Sequence, residues 1–241
     1  MSYSWNENTI TWFLRASAYT CFHRILAKAI LPHLEANDSV CDIGCGLGRL
    51  DLELAPHVAE MTALDINPDV VRILDGDATA QNHQHLSAIC MDAAMLSSVY
   101  DVVIMSFYGK IDSELENFER CCKKKIIRIV NEQNHSRLYP GAHRRTKKDT
   151  VSIVRQALLR EKRSFHLDLV SAEFGQPLRT WQEATEFVRH HAPEACEQEI
   201  SAFLDEQIIQ TAHEEFPLYL PNQKSVGIFV IERKESDEVV Q

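Results

Sequence analysis

The 241 residues read as an α/β chain built on a mostly parallel, doubly wound sheet of seven strands. Three observations predict it. Strand-like and helical segments alternate from residue 39 to residue 130. The strand-like runs are continuously apolar, as strands covered on both faces are. The first of them, Val40-Cys41-Asp42-Ile43, breaks into Gly44-Cys45-Gly46-Leu47-Gly48 and leads at once into a helical segment.

Each element has its own signal. Residues 8–35 place Trp12, Phe13, Ala16, Tyr19, Phe22, Leu26, Ile30 and Leu34 at helical spacing, with Pro32 marking a kink or break. Asn37-Asp38 turns the chain into strand 39–43. Helix 49–58, strand 61–65 and helix 68–75 follow, the last opened by Asn67 as cap and Pro68 at its first position. Strands 87–91 and 102–105, a helix at 112–122 and strand 125–130 complete five β-units. Beyond residue 131 the alternation stops: a helix at 149–161, strand 165–170, helices near 180–191 and 194–212, and a last strand at 226–231.

Composition bounds the function. A 45% hydrophobic and 25% charged chain is ordinary for a globular protein with a sizeable core. No apolar run is long enough for a bilayer span, and Met1–Glu7 lacks a signal-peptide pattern, so a cytoplasmic protein without membrane partners is expected. Seven cysteines, none in a Cys-x-x-Cys pair, and histidines such as His83, His85, His190 and His191 predict no metal or disulfide framework. The net charge of −10 is uneven. Residues 137–163 hold nine Lys/Arg (Arg137, Arg144, Arg145, Lys147, Lys148, Arg155, Arg160, Lys162, Arg163) against Asp149 and Glu161. Such a segment is either a site for an anionic partner or a solvated face balancing an acidic body.

The glycine loop discriminates between cofactors. Glycine tolerates left-handed backbone and lets a ligand approach closely. The dinucleotide fingerprint G-x-G-x-x-G fails here in both registers, because its third glycine falls on Arg49 or on Asp51. The pattern is instead Asp42-x-Gly44-x-Gly46-x-Gly48. In this the chain resembles the class I S-adenosylmethionine (SAM)-dependent methyltransferases, whose first motif is an acid followed by G-x-G-x-G after strand 1. The resemblance continues in order over residues 38–130. It implies a Rossmann-like methyltransferase fold and SAM as cofactor. Asp42 would help hold the SAM amino group, and the loop of Gly44, Gly46 and Gly48 would face its methionine part. Asp65, ending strand 2, would bind both ribose hydroxyls, a task suited to two acceptor oxygens. Ile66 would pack on adenine, Asp92 would accept from the adenine amino group, and Met91 or Ala93 would neighbour the ring. Tyr100–Ser106 would be strand 4, its end facing the transferring methyl.

The acceptor is less legible. Ser106-Phe107-Tyr108-Gly109-Lys110 departs from the Asn/Asp-Pro-Pro-Tyr/Phe run of the family's exocyclic base N-methyltransferases, which argues against that substrate class. Tyr108 and His135 are the catalytic candidates, with Asn131 and Glu132 nearby in sequence. A small-molecule acceptor is the favoured expectation. An RNA methyltransferase using the 137–163 basic segment is the less favoured one, and a non-catalytic SAM-binding scaffold the third. The expected organisation is an N-terminal helical cap at 1–36 with Tyr3, Trp5, Trp12 and Tyr19, a SAM-binding core at 37–132, a C-terminal part at 133–234 with basic and helical insertions before the last strand, and an acidic tail at 235–241. The oligomeric state is left open by the sequence.

Overall fold

The computed structural model describes residues 5–133, 137–141 and 149–234. Tyr3, His135, Arg144, Arg145, Lys147, Lys148 and the acidic tail lie outside them. The strands are β1 (Ser39–Ile43), β2 (Glu60–Asp65), β3 (Leu86–Cys90), β4 (Tyr100–Ser106), β5 (Cys122–Asn131), β6 (Phe165–Glu173), β7 (Gln176–Leu178), β8 (Ile209–Gln210), β9 (Leu218–Leu220) and β10 (Gln223–Glu232). The helices are α1 (Glu7–Thr20), α2 (Phe22–Ile30), α3 (Arg49–Leu54), α4 (Pro68–Ala80), α5 (Ile111–Glu119), α6 (Val151–Arg160), α7 (Trp181–His191) and α8 (Glu197–Gln207).

Seven strands form one sheet in the order β3-β2-β1-β4-β5-β10-β6. The pairs β1–β2, β2–β3, β1–β4 and β4–β5 are parallel, and β10 runs antiparallel to β5. The expected doubly wound, mostly parallel sheet is therefore present. Strand order reverses between β1 and β4, and in open sheets of this kind ligands bind outside the carboxyl ends of the strands at that switch.

The chain divides into two compact units, one of residues 1–25, 133–148 and 171–225, the other of residues 26–132, 149–170 and 226–241. The second unit contains most of the sheet. Its core joins Cys41 and Ile43 of β1, Val103 and Met105 of β4, Ile126 and Val130 of β5, Leu115 and Phe118 of α5, and Val154 and Leu158 of α6. The first unit packs Trp12, Leu178, Phe187, Val188, Ile200, Leu204 and Leu220 together. Trp12 meets Phe187 edge-on at 5.2 Å between ring centroids. Arg15 pairs with Glu183 at 2.7 Å, and the Tyr219 hydroxyl donates to Glu173 Oε1 at 2.7 Å.

Three sequence expectations change. The long N-terminal helix breaks at Cys21, whose left-handed φ of 55° ends α1, while Pro32 sits in the 3₁₀ turn Leu31–His33. Helix 49–58 is shorter, because Pro56 in the 3₁₀ turn Ala55–His57 follows α3. The helix expected over 194–212 is α8, opened by a capping box of Cys196 and Glu199. Its expected end is β8 instead, which joins β9 and β7 in a small antiparallel sheet absent from the sequence reading. Antiparallel pairing of Ile209 with Tyr219 and of Gln210 with Leu218 outweighed the local helical pattern there.

A buried ion pair holds the turn after β4. Arg128 of β5 is 1% exposed at its side chain and pairs with Asp149 at 2.8 Å. Its guanidinium also donates to the Gly109 carbonyl at 2.9 Å, while Asp149 Oδ2 accepts the Ile111 N–H at 2.6 Å. Removing one partner of a buried pair strands the other charge, which costs about 3–5 kcal/mol. Asp149→Ala should lower unfolding stability on that scale in urea titrations with an unchanged slope. Arg160→Ala, at an exposed pair with Asp112, should change it by less than about 1 kcal/mol.

Candidate functional site

The site forms at the carboxyl ends of β1, β2 and β4. Gly44, Gly46 and Gly48 take φ values of 75°, 55° and 61°, so three of five consecutive residues are left-handed. A Cβ is strained at each of them. At Gly44 it would also strike the Tyr108 ring, and at Gly48 the Leu74 side chain. The N–H groups of Gly44 and Cys45 both donate to the Leu64 carbonyl at 2.8 Å, which ties the loop to the end of β2.

Asp65 ends β2 and makes the second tie. Its Oδ2 accepts the Gly46 N–H and its Oδ1 the Asn67 N–H, each at 2.9 Å. A carboxylate has about four acceptor sites, so each oxygen keeps one for a further donor. Asp65 is half-buried and within reach of solvent. Ile66 beside it is 61% exposed, an apolar side chain held out in water. Asp92 is exposed and caps the 3₁₀ turn Ala93–Met95, its Oδ1 accepting the Ala94 N–H at 2.9 Å. Ala93 turns its methyl into the core of the sheet-bearing unit. Tyr108 is half-buried, packs against that core and lies over Gly44. Its neighbours Phe107 and Gly109 are both left-handed, at φ 54° and 64°. His135 is outside the described residues.

Asp42 is buried in β1, and Asp51 of α3, whose side chain interacts with it, is fully buried as well. Asp42 Oδ1 and both Asp51 oxygens are buried with no well-formed hydrogen bond from a basic or amide side chain. Two facing carboxylates in a dry interior cannot both stay ionised. Burial first, then the charge and hydrogen bond of Asp51, push Asp42 well above the usual carboxylate range, against the pull of the Ser106 N–H. Burial pushes Asp51 up to about 7, against the pull of its own backbone N–H and then of Asp42 and Arg49. The pair thus keeps at least one proton near neutrality and releases the other only as pH rises through about 7. Cys41 and Cys45 beside it are pushed up, chiefly by burial and then by these acids, so their thiols stay protonated.

Sequence reasoning brought Asp42, the three glycines, Asp65 and Ile66 to one place. It passed over Asp51, whose only signal was a charge between Leu50 and Leu52, and Arg128, a lone cation in the run Ile126–Val130.

Residues 40–125 match the sequence family described as "Methyltransferase domain". No sequence among the curated proteins matches the chain. Among solved structures, a putative methyltransferase from Bacillus halodurans C-125 superposes with a TM-score of 0.57 at 13% identity, over 88% of this chain and 99% of that one. The YcgJ protein from Bacillus subtilis gives 0.56 at 14% identity, over 88% and 99%. Magnesium protoporphyrin IX methyltransferase from Synechocystis PCC 6803, solved with bound SAH, gives 0.53 at 14% identity, over 87% and 82%. The fold is the Rossmann-like methyltransferase fold. Residues 40–125 form a methyltransferase domain of the class I, SAM-dependent kind.

The proton held on Asp51 predicts a pH dependence of stability. The folded Asp51 holds a proton up to about pH 7, where the unfolded residue releases it near its ordinary 3.8. The folded state therefore binds more protons across that window, and stability falls as pH rises through it. Asp51→Asn keeps the shape, offers Asp42 a donor and removes the group that binds this proton. Urea midpoints at pH 5 and pH 8 should show wild type losing about 2 kcal/mol relative to Asp51→Asn. An equal gap at both pH values would mean that Asp51 takes up no proton on folding.

Proposed function

We propose that this chain binds SAM outside the carboxyl ends of β1, β2 and β4 and transfers its methyl group to a small-molecule acceptor. The observation that carries the reading is Asp65. Its two oxygens are each held by one backbone N–H and each keep an acceptor site, which suits two vicinal ribose hydroxyls. Ile66 lies beside it with its apolar surface in water, and covering that surface with an adenine ring is favourable. Asp92 uses Oδ1 on its own turn, and Oδ2 would take the adenine amino group. Ala93 supports the same subsite through the turn that Asp92 caps rather than by an exposed side chain. Gly44, Gly46 and Gly48 allow close approach along the loop, and Asp42 at the end of β1 is the acid we assign to the ligand ammonium.

Bound SAM would supply a methyl group on a sulfonium for in-line displacement by the acceptor atom. The protein's part is alignment and exclusion of water. The Arg128–Asp149 pair contributes by holding the turn that carries Tyr108 through Gly109 and Ile111. Tyr108 is placed to line the acceptor side, and its hydroxyl is the polar group we assign there.

A small-molecule acceptor fits the fold relative from Synechocystis, a magnesium protoporphyrin IX methyltransferase, as an analogy of fold. An RNA acceptor has weaker support. Arg163 of the basic segment is buried in a pair with Glu119 and bonds the Glu232 carbonyl, and Arg160 pairs with Asp112. A cytoplasmic location belongs to this reading and is supported by seven unpaired thiols. No helix among the described residues is long and apolar enough to cross a membrane.

Calorimetry should show SAM and its demethylated product binding to the chain. Asp65→Ala should weaken both by about 1.5–3 kcal/mol, the scale of hydrogen bonds to a charged group. Tight NADH binding without SAM binding would overturn the cofactor assignment. Labelled-methyl transfer onto the low-molecular-mass fraction of a cell extract tests the acceptor class, and label found only in RNA would replace it with the second reading.

A further inference from the structure

Away from the glycine loop, three side chains with metal-binding atoms converge on one point. His33 ends the 3₁₀ turn Leu31–His33, and His166 and Asp168 lie two residues apart on β6, the edge strand of the large sheet. Residues at i and i+2 of a strand face the same way, so His166 and Asp168 present their side chains together. His33 Nε2 lies 2.9 Å from Asp168 Oδ2, and His166 Nε2 lies 2.9 Å from Asp168 Oδ1. One ligand atom from each of the three lies within 4.8 Å of the other two. All three belong to the same compact unit.

We propose that His33, His166 and Asp168 form a binding site for one divalent transition-metal ion of the zinc class, with water completing the coordination. The donor set is chemically right for it. Two imidazole nitrogens and one carboxylate oxygen suit zinc, and three protein ligands leave an open position. The spacing is right as well. A tetrahedral ion with bonds of about 2.0 Å holds its ligand atoms roughly 3.3 Å apart, a few tenths of an ångström from the observed His–Asp separations. Both histidines turn the same nitrogen, Nε2, toward the shared carboxylate. An ion there replaces the two His–Asp hydrogen bonds and accepts both imidazole lone pairs, with Nδ1 carrying each ring's proton. The side chains are 21%, 59% and 37% exposed for His33, His166 and Asp168, so the point is reachable from solvent. Bound metal would tie the start of the edge strand to the turn that precedes β1.

The site is invisible to spacing rules because His33 lies more than a hundred residues from its partners in sequence. It is independent of the methyl-transfer reading, and its test needs no activity. The metal-free full chain is titrated with Co²⁺, followed by visible absorption, and the bound Co²⁺ is then displaced by Zn²⁺. We expect one Co²⁺ per chain with a four- or five-coordinate spectrum lacking thiolate charge transfer, and a melting temperature that rises with Zn²⁺. His33→Ala and His166→Ala should each weaken binding at least tenfold, and Asp168→Asn, close in shape, should weaken it while the far-ultraviolet spectrum stays unchanged. His83→Ala, on a different loop, should leave it as it was. Absence of saturable binding at 100-micromolar-scale Co²⁺ (about 10⁻⁴ M, weaker than protein metal sites of this donor type) would overturn the proposal. So would equal affinity in the His33 and His166 variants, or a thiolate band, which would move the metal to the cysteines.

Discussion

The structure of the site depends on how β1 is made to stop. Paired in parallel with β2 on one side and β4 on the other, β1 would continue past the sheet if its residues allowed it. Three left-handed glycines in five positions prevent this, and Asp65 fixes the result by accepting the Gly46 N–H. The Leu64 carbonyl, taking two N–H groups of the same loop, removes the remaining freedom. One carboxylate at the end of a neighbouring strand therefore shapes the loop.

Around that loop the protein concentrates groups that would be unfavourable elsewhere. Asp42 and Asp51 lie together in the interior, where only protonation makes their proximity tolerable. The turn bearing Tyr108 contains a left-handed Phe107, a conformation uncommon for a bulky residue. The buried Arg128–Asp149 pair fastens its far side. Local strain of this kind persists where surrounding structure over-determines it. Here the determinants are the hydrogen bonds of Asp65 on β2, Arg128 on β5 and Asp149 ahead of α6.

Much of this was legible beforehand because it is local. Strand 39–43 was read at the bounds the structure has, and the strands at 61–65 and 87–91 within one residue, since a run of apolar residues between turn signals needs no distant partner to be recognised. The departure of Arg49 and Asp51 from the dinucleotide pattern pointed to a methyltransferase loop, and residues 40–125 belong to such a domain. The small sheet of β7, β8 and β9 was not legible. Its strands are two or three residues long, and β7 (Gln176–Leu178) finds β9 (Leu218–Leu220) only across a long stretch of chain.

The sequence by itself determined the sheet class, the glycine loop and the acids at the strand ends, because alternation, backbone conformational preference and motif spacing are encoded within a few residues. Tertiary structure alone decided which charges are buried and whom they meet. Asp51 and Arg128 are unremarkable letters until α3 and β5 are packed, when the low dielectric turns one into half of a proton-holding pair and the other into the anchor of a turn. His33, His166 and Asp168 converge only because the edge strand passes the turn before β1. Short-range preferences act through the local backbone, whereas burial and charge pairing depend on neighbours that only the folded chain brings together.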